Sequence, residues 1–158
     1  MLVGILADSH DNLPALAKAV SLFNRKNVEA VLHAGDLVAP FTEREMRKLN
    51  MPVHITYGNN DGEKLGLKAV YGDKIQRPPL SLTLDNRKIL ILHEPDNLDA
   101  VADSRHYHLV VYGHTHEIDL RREKSLILNP GECGGWVTGK CSVAIWNTST
   151  DNVDIIEL

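Results

Sequence analysis

The stretch "LVGILADSHDN" (residues 2–12) decides the fold, because it joins a short apolar run to a cluster of polar side chains. Residues 2–7 are almost entirely apolar, which is typical of a strand that is covered on both faces. Asp8 ends this run, and a helix is predicted to follow, with a polar cap at 11–12 and Pro14 in its first turn. The stretch therefore predicts a buried strand with polar groups at its carboxyl end.

The same pattern occurs twice more along the first half of the chain. "VEAVLHAGD" (28–36) is an apolar strand that ends in Gly and Asp, and Pro40 begins a weaker helix that is predicted to reach about Leu49. "PVHITYGNND" (52–61) is a third strand with a polar end. Strands and helices that alternate in this way indicate right-handed crossovers and a parallel sheet, whose ligand crevice lies outside the carboxyl ends of the strands.

The second half of the chain has mainly strand patterns. "LSLTLDNRKILILHE" (80–94) predicts a hairpin around an Asp-Asn turn, and a short helix is predicted near 97–104. Further strands are predicted at 109–112, 118–122, 125–129, 141–147 and 152–157. We expect this half to be mostly a β-meander that packs as a second sheet on the first. No linker separates the halves, so residues 1–158 are predicted to form one domain.

Composition and charge exclude several classes of function. The 158 residues are 43% hydrophobic, with a net charge of −4, as in a globular protein. No run of basic residues indicates a partner such as long nucleic acid or an anionic membrane, so a small substrate is expected. The first residues lack the basic region of a signal peptide. Cys133 and Cys141 are therefore expected to be reduced thiols of a cytoplasmic protein.

Polar residues that can bind metal recur at five predicted strand ends. These clusters are Asp8-Ser9-His10, Gly35-Asp36, Gly58-Asn59-Asn60-Asp61, His93 and Gly113-His114-Thr115-His116. Each cluster alone is weak, since Gly-Asp is common in turns and a histidine after an apolar strand is usually structural. If the backbone stays extended, however, His114 and His116 lie on the same side and could bind one object.

Carboxylates, imidazoles and an amide oxygen together suit divalent transition metals. Seven such groups are more than one ion takes from a protein that must also bind substrate, whereas two ions that share a carboxylate would use them all. Asp36, which stands alone behind Gly35, is the natural bridging ligand. Two ions about 3.5–4 Å apart can hold a bridging hydroxide as nucleophile and orient a phosphoryl group. The pattern therefore indicates hydrolysis.

The chain contains, in this order, the motifs D-x-H, G-D, G-N-x-D, a histidine after an apolar strand, and G-H-x-H. This ordered set resembles the calcineurin-like metallophosphoesterases. "ILADSHDN" and "LNPGE" are most similar to the small archaeal and bacterial phosphodiesterases of that family. The resemblance implies a four-layer α/β/β/α sandwich of two mixed β-sheets flanked by helices. It also implies a phosphoesterase that hydrolyses phosphodiesters through a hydroxide bridging two divalent ions. Manganese is the first expectation, with nickel, cobalt, iron and zinc as alternatives.

Carried over by position, the resemblance implies a role for each of the seven ligand-type residues. One ion would be held by Asp8, His10 and His116. The other ion would be held by Asn59, His93 and His114, and Asp36 would lie across both. Many members have a histidine where this chain has Asn60, and that histidine is thought to contact phosphate and assist the leaving group. Asn60 is therefore either a phosphate contact that cannot supply a proton or a turn residue that faces solvent.

Two other departures from the family pattern concern acidic residues. Glu94 follows His93 directly, where it could be a spare ligand or simply point to solvent. Glu132 replaces the serine of the usual N-P-G-S. The glycine-rich loop 131–140 has no nucleotide-binding pattern, and its Trp136 could pack on substrate or on another subunit.

Other polar residues near the clusters receive structural interpretations. His33 is expected to satisfy a hydrogen bond beneath the site, and Asp61 is expected to cap a helix.

The alternative function is a non-catalytic metal-binding scaffold of the same fold that acts in protein–protein interaction. The seven retained ligand-type residues favour the enzyme. A homodimer is expected because the family often pairs and because two-fold dimers are the commonest assembly.

Overall fold

The computed structural model describes residues 1–158, which form two β-sheets with helices on their outer faces. The helices are α1 (Leu13–Arg25), α2 (Glu43–Met46), α3 (Lys64–Tyr71) and α4 (Leu98–Asp103). The strands are β1 (Leu2–Leu6), β2 (Ala30–His33), β3 (Val53–Thr56), β4 (Ile75–Gln76), β5 (Leu80–Leu84), β6 (Arg87–Ile91), β7 (Leu109–Val111), β8 (Ile118–Arg122), β9 (Leu126–Pro130), β10 (Ser142–Asn147) and β11 (Val153–Glu157).

The first sheet has the strand order β11-β10-β1-β2-β3-β4. Strands β1 to β4 run parallel, as the repeated strand-helix pattern predicts, and β10 pairs antiparallel with β1. Helix α1 begins where the Asn12 side chain accepts a hydrogen bond from Ala15 N at 3.2 Å. Because Asn12 caps the helix so soon after β1, the chain between them is short and polar, and it lies at the carboxyl edge of the sheet.

The second sheet has the order β5-β6-β7-β9-β8. The predicted hairpin is confirmed, since β5 and β6 pair antiparallel and Asp85 and Asn86 both have positive φ angles, of 48° and 60°. Both central residues of a type I′ turn require such angles. Strands β6, β7 and β9 run parallel, with α4 in the crossover between β6 and β7.

The expected β-meander in the second half was therefore wrong in two respects. Strands β10 and β11 join the first sheet instead of the second, and the centre of the second sheet is parallel. Strand periodicity indicates which faces of a strand are buried, but it does not specify which strand is its neighbour. The 17 residues between β6 and β7 are long enough for a parallel crossover.

Three apolar clusters fill the spaces between four layers. Val3, Ile5 and Trp146 belong to a cluster that lies between the two sheets and also contains residues of β6, β7 and β9. A second cluster joins the outer face of the first sheet to α1, including Leu16 and Phe23. The third cluster joins α4 to the outer face of the second sheet. The predicted four-layer α/β/β/α sandwich of two mixed sheets is thus confirmed.

The helices differ from the sequence prediction in number and length. The helix predicted from Pro40 to about Leu49 is only a 3₁₀ turn followed by the four residues of α2. The sequence indicated no bounds for helix α3 beyond the expected cap at Asp61, because Gly66 interrupts a short segment in which only Leu67 and Tyr71 are buried. None of the four helices has the length and apolar character that a membrane span requires.

Candidate metal centre

The five polar clusters all meet at one edge of the sandwich. Each cluster follows the carboxyl end of a strand, namely β1, β2, β3, β6 or β7. Parallel strands bring their carboxyl ends to the same edge of a sheet, and the two packed sheets bring these edges together. The backbone N–H of His114 donates to both carboxylate oxygens of Asp8, at 3.1 and 3.0 Å, and so connects the second sheet to the first.

One group within the cluster consists of Asp8, His10 and His116. The Nε2 atoms of His10 and His116 lie 3.8 and 3.7 Å from Asp8 Oδ1. The centroids of the two imidazole rings are 5.1 Å apart. A carboxylate oxygen and two ring nitrogens thus surround a small volume.

A second group consists of Asn59, His93 and His114. Asn59 Oδ1 lies 2.7 Å from His93 Nε2 and 2.9 Å from His114 Nδ1. The side chains of Asn59 and His114 are exposed, whereas His93 is buried. This side of the cluster is therefore open to solvent and to a substrate.

Asp36 lies between the two groups. Its Oδ2 atom is 3.5 Å from His10 Nε2 and 3.3 Å from His93 Nε2. The backbone N–H of Asn60 donates to Asp36 Oδ1 and the Asn60 side-chain amide donates to Oδ2, both at 2.8 Å. The structure thus brings together all seven residues that were predicted as ligands. Asn60 lies in an exposed turn, as one of the two alternatives had it, and its amide at the same time holds Asp36.

The backbone at the site has an unusual conformation. Five of the seven residues have positive φ angles, namely Asp8 (52°), His10 (42°), Asp36 (61°), His114 (69°) and His116 (63°). The extended backbone considered for the two histidines after β7 was therefore wrong. A non-glycine residue in this region costs about 1–3 kcal/mol, and such strain concentrates at functional sites.

Two glycines make room for the buried carboxylates. A Cβ atom at Gly113 would lie 2.7 Å from Asp8 Oδ2, and one at Gly58 would collide with Asp36 Oδ1. Non-bonded carbon and oxygen atoms cannot approach each other this closely, so any side chain at Gly113 or Gly58 would displace a carboxylate. The glycines that precede the histidine and asparagine clusters are thus required by space.

The two carboxylates are deeply buried, with exposed fractions of 0% for Asp8 and 1% for Asp36. Burial raises the pKa of Asp8 to about 6. Burial acts in the same direction on Asp36, but the hydrogen bond and charge of His93 and the bonds from Asn60 outweigh it and hold the pKa well below its usual range. Their only ion-pair partners are imidazoles, so the site has no lysine or arginine to balance two buried negative charges.

The residues fit a divalent metal. Buried charges are normally paired or bind metal, and here no permanent cation pairs with them. His10 Nε2 is buried without a hydrogen-bond partner, although it faces both carboxylates. The ligand atoms of Asp8, His10 and His116 all lie within 4.8 Å of one another, as do those of Asp8, Asp36 and His93. Carboxylate, imidazole and amide oxygen are also the donors that such ions take.

Asp61 supports the site in a way that the sequence did not indicate. Its carboxylate accepts hydrogen bonds from the backbone N–H groups of Asp36 (3.2 Å), Val38 (2.7 Å) and Gly58 (2.6 Å). The interpretation of Asp61 as a helix cap was wrong, because these three donors belong to the loops after β2 and β3. Asp61 therefore fixes these two loops relative to each other.

Asn129 has the corresponding role in the second sheet. Its side-chain amide donates to Gly113 O and Thr115 Oγ1, both at 3.0 Å, and its Oδ1 accepts from Gly131 N at 2.9 Å. The only sequence signal for this residue was its place in "LNPGE". His33 has the expected role, since its two ring nitrogens lie 3.2 Å from Ser9 Oγ and Gly35 N beneath the site.

A cleft of about 660 Å³ opens beside the second group of ligand-type residues. Asn59 and His93 line the end of the cleft nearest the site, and Lys64 and Arg77 add positive charge. Glu94 also lines it and is exposed, which favours the solvent-facing alternative over the spare ligand. The two cations were not noticed in the sequence, because exposed lysines and arginines have no distinguishing pattern.

Comparison with known proteins gives consistent results. Residues 1–151 match the calcineurin-like phosphoesterase superfamily domain. The chain is 39% identical to a phosphodiesterase of Methanocaldococcus jannaschii over 155 residues, which cover 94% of this chain and 93% of the relative. A solved structure described as a novel archaeal phosphodiesterase has a TM-score of 0.93 at 38% identity, with 100% of both chains covered.

A more distant similarity concerns the fold alone. The Vacuolar Protein Sorting 29 structure of Chaetomium thermophilum is 18% identical, with a TM-score of 0.72, and covers 100% of this chain and 95% of its own. Because the family match spans nearly the whole chain and the metal-binding residues fit, the chain belongs to the calcineurin-like phosphoesterase superfamily and is a metal-dependent phosphoesterase.

Proposed function

We propose that this chain is a phosphodiesterase that holds two divalent transition-metal ions. The first ion would be bound by Asp8, His10 and His116, and the second by Asn59, His93 and His114. Asp36 would bind both ions. The observation that carries the proposal is the contact of Asp36 Oδ2 with His10 on one side, at 3.5 Å, and with His93 on the other, at 3.3 Å. A carboxylate with two oxygens on a short side chain is suited to bridge two ions.

When bound, such ions supply Lewis-acid polarisation of a phosphoryl group and lower the pKa of a nucleophilic water. The chain's own residues hold the rest of the arrangement. Asn60 fixes the Asp36 carboxylate through two hydrogen bonds, and His93 donates from Nδ1 to Ala34 O at 2.8 Å. Because these groups are already held in place, little reorganisation is needed when charge develops on the phosphate.

The cleft beside Asn59 and His93 supports a diester over a simple monoester. A diester carries a second organic arm, and a cleft of about 660 Å³ is large enough to accept one. Lys64 and Arg77 in its wall would pair with the negative charge of the phosphate or of that arm, and Glu94 and Asp96 in the same wall offset their formal charge. The exposed side of the site, around Asn59 and His114, leaves an entry path.

The metal is proposed to be manganese first, with nickel, cobalt, iron and zinc as alternatives. Carboxylate and amide oxygens suit Mn²⁺, whereas the four imidazoles also suit the later metals of the series.

A cytoplasmic location and a homodimer also stay predictions. Light scattering that gives twice the chain mass of 17.6 kDa would support the dimer, and a mass of 17.6 kDa would exclude it.

The function is tested with paired aryl phosphodiester and phosphomonoester substrates on protein loaded with Mn²⁺. We expect the diester to be preferred, two metal equivalents per chain by elemental analysis, and no activity for Asp36→Asn. Asp119→Asn is the matched control, because Asp119 is a half-buried carboxylate bound to Tyr112 and belongs to none of the five polar clusters. Two bound ions with neither ester hydrolysed would favour the scaffold alternative, and one ion or none would contradict the dinuclear site.

A further inference from the structure

The glycine-rich loop 131–140, which the proposed reaction does not use, is organised around the carboxylate of Glu132. This side chain is fully buried, with an exposed fraction of 0%. Four donors of the loop bond to it, namely Trp136 N (2.7 Å), Val137 N (3.0 Å to Oε1), Thr138 N (2.9 Å) and Thr138 Oγ1 (2.9 Å). A carboxylate that accepts this many bonds fixes the loop firmly.

The same carboxylate faces the metal centre. Glu132 Oε1 lies 3.3 Å from His116 Nδ1, which is buried and has no hydrogen bond of good geometry. The other ring nitrogen of His116, Nε2, lies on the side of Asp8, at 3.7 Å from Oδ1. An imidazole that carried its proton on Nδ1 would place that nitrogen 3.3 Å from Glu132 Oε1 and would leave the Nε2 lone pair on the side of Asp8.

The loop also contacts the other histidine of that group. Trp136 Nε1 donates to the backbone carbonyl of His10 at 3.0 Å, although 66% of Trp136 is exposed. Glu132 and Trp136 thus attach one loop to both His116 and His10. The loop can influence the Asp8 group without supplying a ligand to it.

We propose that Glu132 is a positioning residue that holds the Nδ1–H tautomer and the ring orientation of His116 and so connects the 131–140 loop to the metal centre. This inference rests on the proposed function, since it assumes that His116 binds metal through Nε2. The four loop groups that bond to Glu132 are all donors, so an ionised carboxylate satisfies them.

The first test uses metal-free protein and needs no activity. Nitrogen-15 NMR of the imidazoles, with His116→Gln used to assign the signal, reports which nitrogen of neutral His116 carries the proton. We expect the Nδ1–H tautomer in the wild type and a shift toward Nε2–H in Glu132→Gln, whose amide can offer a donor to Nδ1. A wild-type spectrum with the Nε2–H tautomer would overturn the proposal even if Glu132→Gln failed to fold.

The second test measures Mn²⁺ binding by calorimetry. When a metal-binding histidine loses the partner that orients it, the metal affinity typically falls about 10–100-fold. We expect a fall of this size in Mn²⁺ affinity at one of the two sites in Glu132→Gln. Thr138→Val is the matched control, because it removes a loop donor to Glu132 Oε2 but leaves the contact with His116. It should bind Mn²⁺ like the wild type.

The two variants together separate positioning from loop stability. Equal weakening in both would show that the loop acts only through its general stability, and unchanged affinity in folded Glu132→Gln would also contradict the proposal. Wild-type protein that binds none of Mn²⁺, Ni²⁺, Co²⁺, Fe²⁺ or Zn²⁺ would instead refute the proposed function. The tautomer measurement would still decide the role of Glu132.

Discussion

At the scale of single residues, Asp36 and Asn60 act as a unit. Asn60 donates from both its backbone and its side chain to the two oxygens of Asp36, so the amide is already committed to that carboxylate. A neutral amide cannot transfer a proton to a departing alcohol as imidazolium can. The leaving group therefore has to depart without a general acid at position 60.

This arrangement predicts a steep dependence of turnover on the leaving-group pKa. Aryl diesters with acidic phenols should be cleaved readily and alkyl monoesters poorly, because general-acid help is typically worth about 10²–10⁴-fold. We expect Asn60→His to make the slope of log kcat against phenol pKa shallower. A graded series of aryl phosphodiesters measures it.

The control for this series is Asn60→Ala, which removes the side-chain bond to Asp36 without adding an imidazole. Metal content is measured in each protein, so that loss of an ion is not mistaken for loss of an acid. An unchanged slope in Asn60→His would mean that another group supplies the proton.

A second residue-scale prediction concerns His33, which is fully buried beneath the site. Burial lowers its pKa to about 3, from an ordinary value of 6.5. Between these two pH values the unfolded chain binds a proton that the folded protein does not bind. Stability therefore falls as the pH decreases through this window and is unaffected by this group above it.

We expect His33→Gln to show a smaller loss of unfolding free energy than the wild type as the pH is lowered below 6.5. Urea unfolding of metal-free protein at a series of pH values measures this loss. His106→Gln, at an exposed histidine, is the control and should follow the wild-type pH dependence. Parallel wild-type and His33→Gln profiles would contradict the prediction.

At the scale of secondary-structure elements, the loops after the strands are held by side chains instead of by regular pairing. Asp61 holds the loops after β2 and β3, and Asn129 holds the loop after β7. The strand ends are thus fixed from both sheets. Because these hydrogen bonds fix the loops that carry the ligand-type residues, small changes in the loops should affect the site directly.

Gly58→Ala is predicted to disturb Asp36, since the new Cβ would collide with its Oδ1 atom. A misplacement of about 1 Å in a catalytic group can cost about 10²-fold in rate, and we expect a loss of this order in kcat/KM together with weaker metal binding. Gly62→Ala is the matched control, because its Cβ would meet nothing within 4 Å. Similar kinetics for the two variants would show that Asp36 can move without consequence.

At the scale of the whole molecule, the centre is built from both sheets. Asp8, Asp36 and Asn59 follow strands of the first sheet, whereas His93 and His114 follow strands of the second. Ligand-type residues from both sheets converge only when the sheets are packed together. Metal that binds this centre should therefore stabilise the folded state.

We expect Mn²⁺ at 100 times its Kd to stabilise the protein by about 2.7 kcal/mol per site, which corresponds to a Tm increase of about 5–11 °C for a chain of this size. Differential scanning calorimetry with Mn²⁺ and with a chelator measures the shift. Asp36→Asn should lose most of it, whereas Asp119→Asn should retain it. An equal Tm with and without metal would mean that the centre does not bind Mn²⁺ in the folded protein.

The sequence by itself determined the local elements and the identity of the chemical groups. The apolar run of β1, the capped helix α1 and the Asp-Asn hairpin depend on interactions between residues near each other in the chain, so a local pattern predicts them. Seven residues predicted as ligands meet in the structure because each follows a strand, and parallel strands end at one edge. The left-handed backbone of His114 and His116 was missed, because no glycine signals it.

Tertiary structure alone decided the partners of these elements. Strands β10 and β11 belong to the first sheet because β10 pairs with β1, more than 130 residues away, and periodicity carries no information about such a neighbour. Asp61 and Glu132 likewise owe their roles to donors and a histidine that reach them through the fold. A buried carboxylate is stable only where the surrounding chain supplies donors, and which donors those are depends on the packing of the whole molecule.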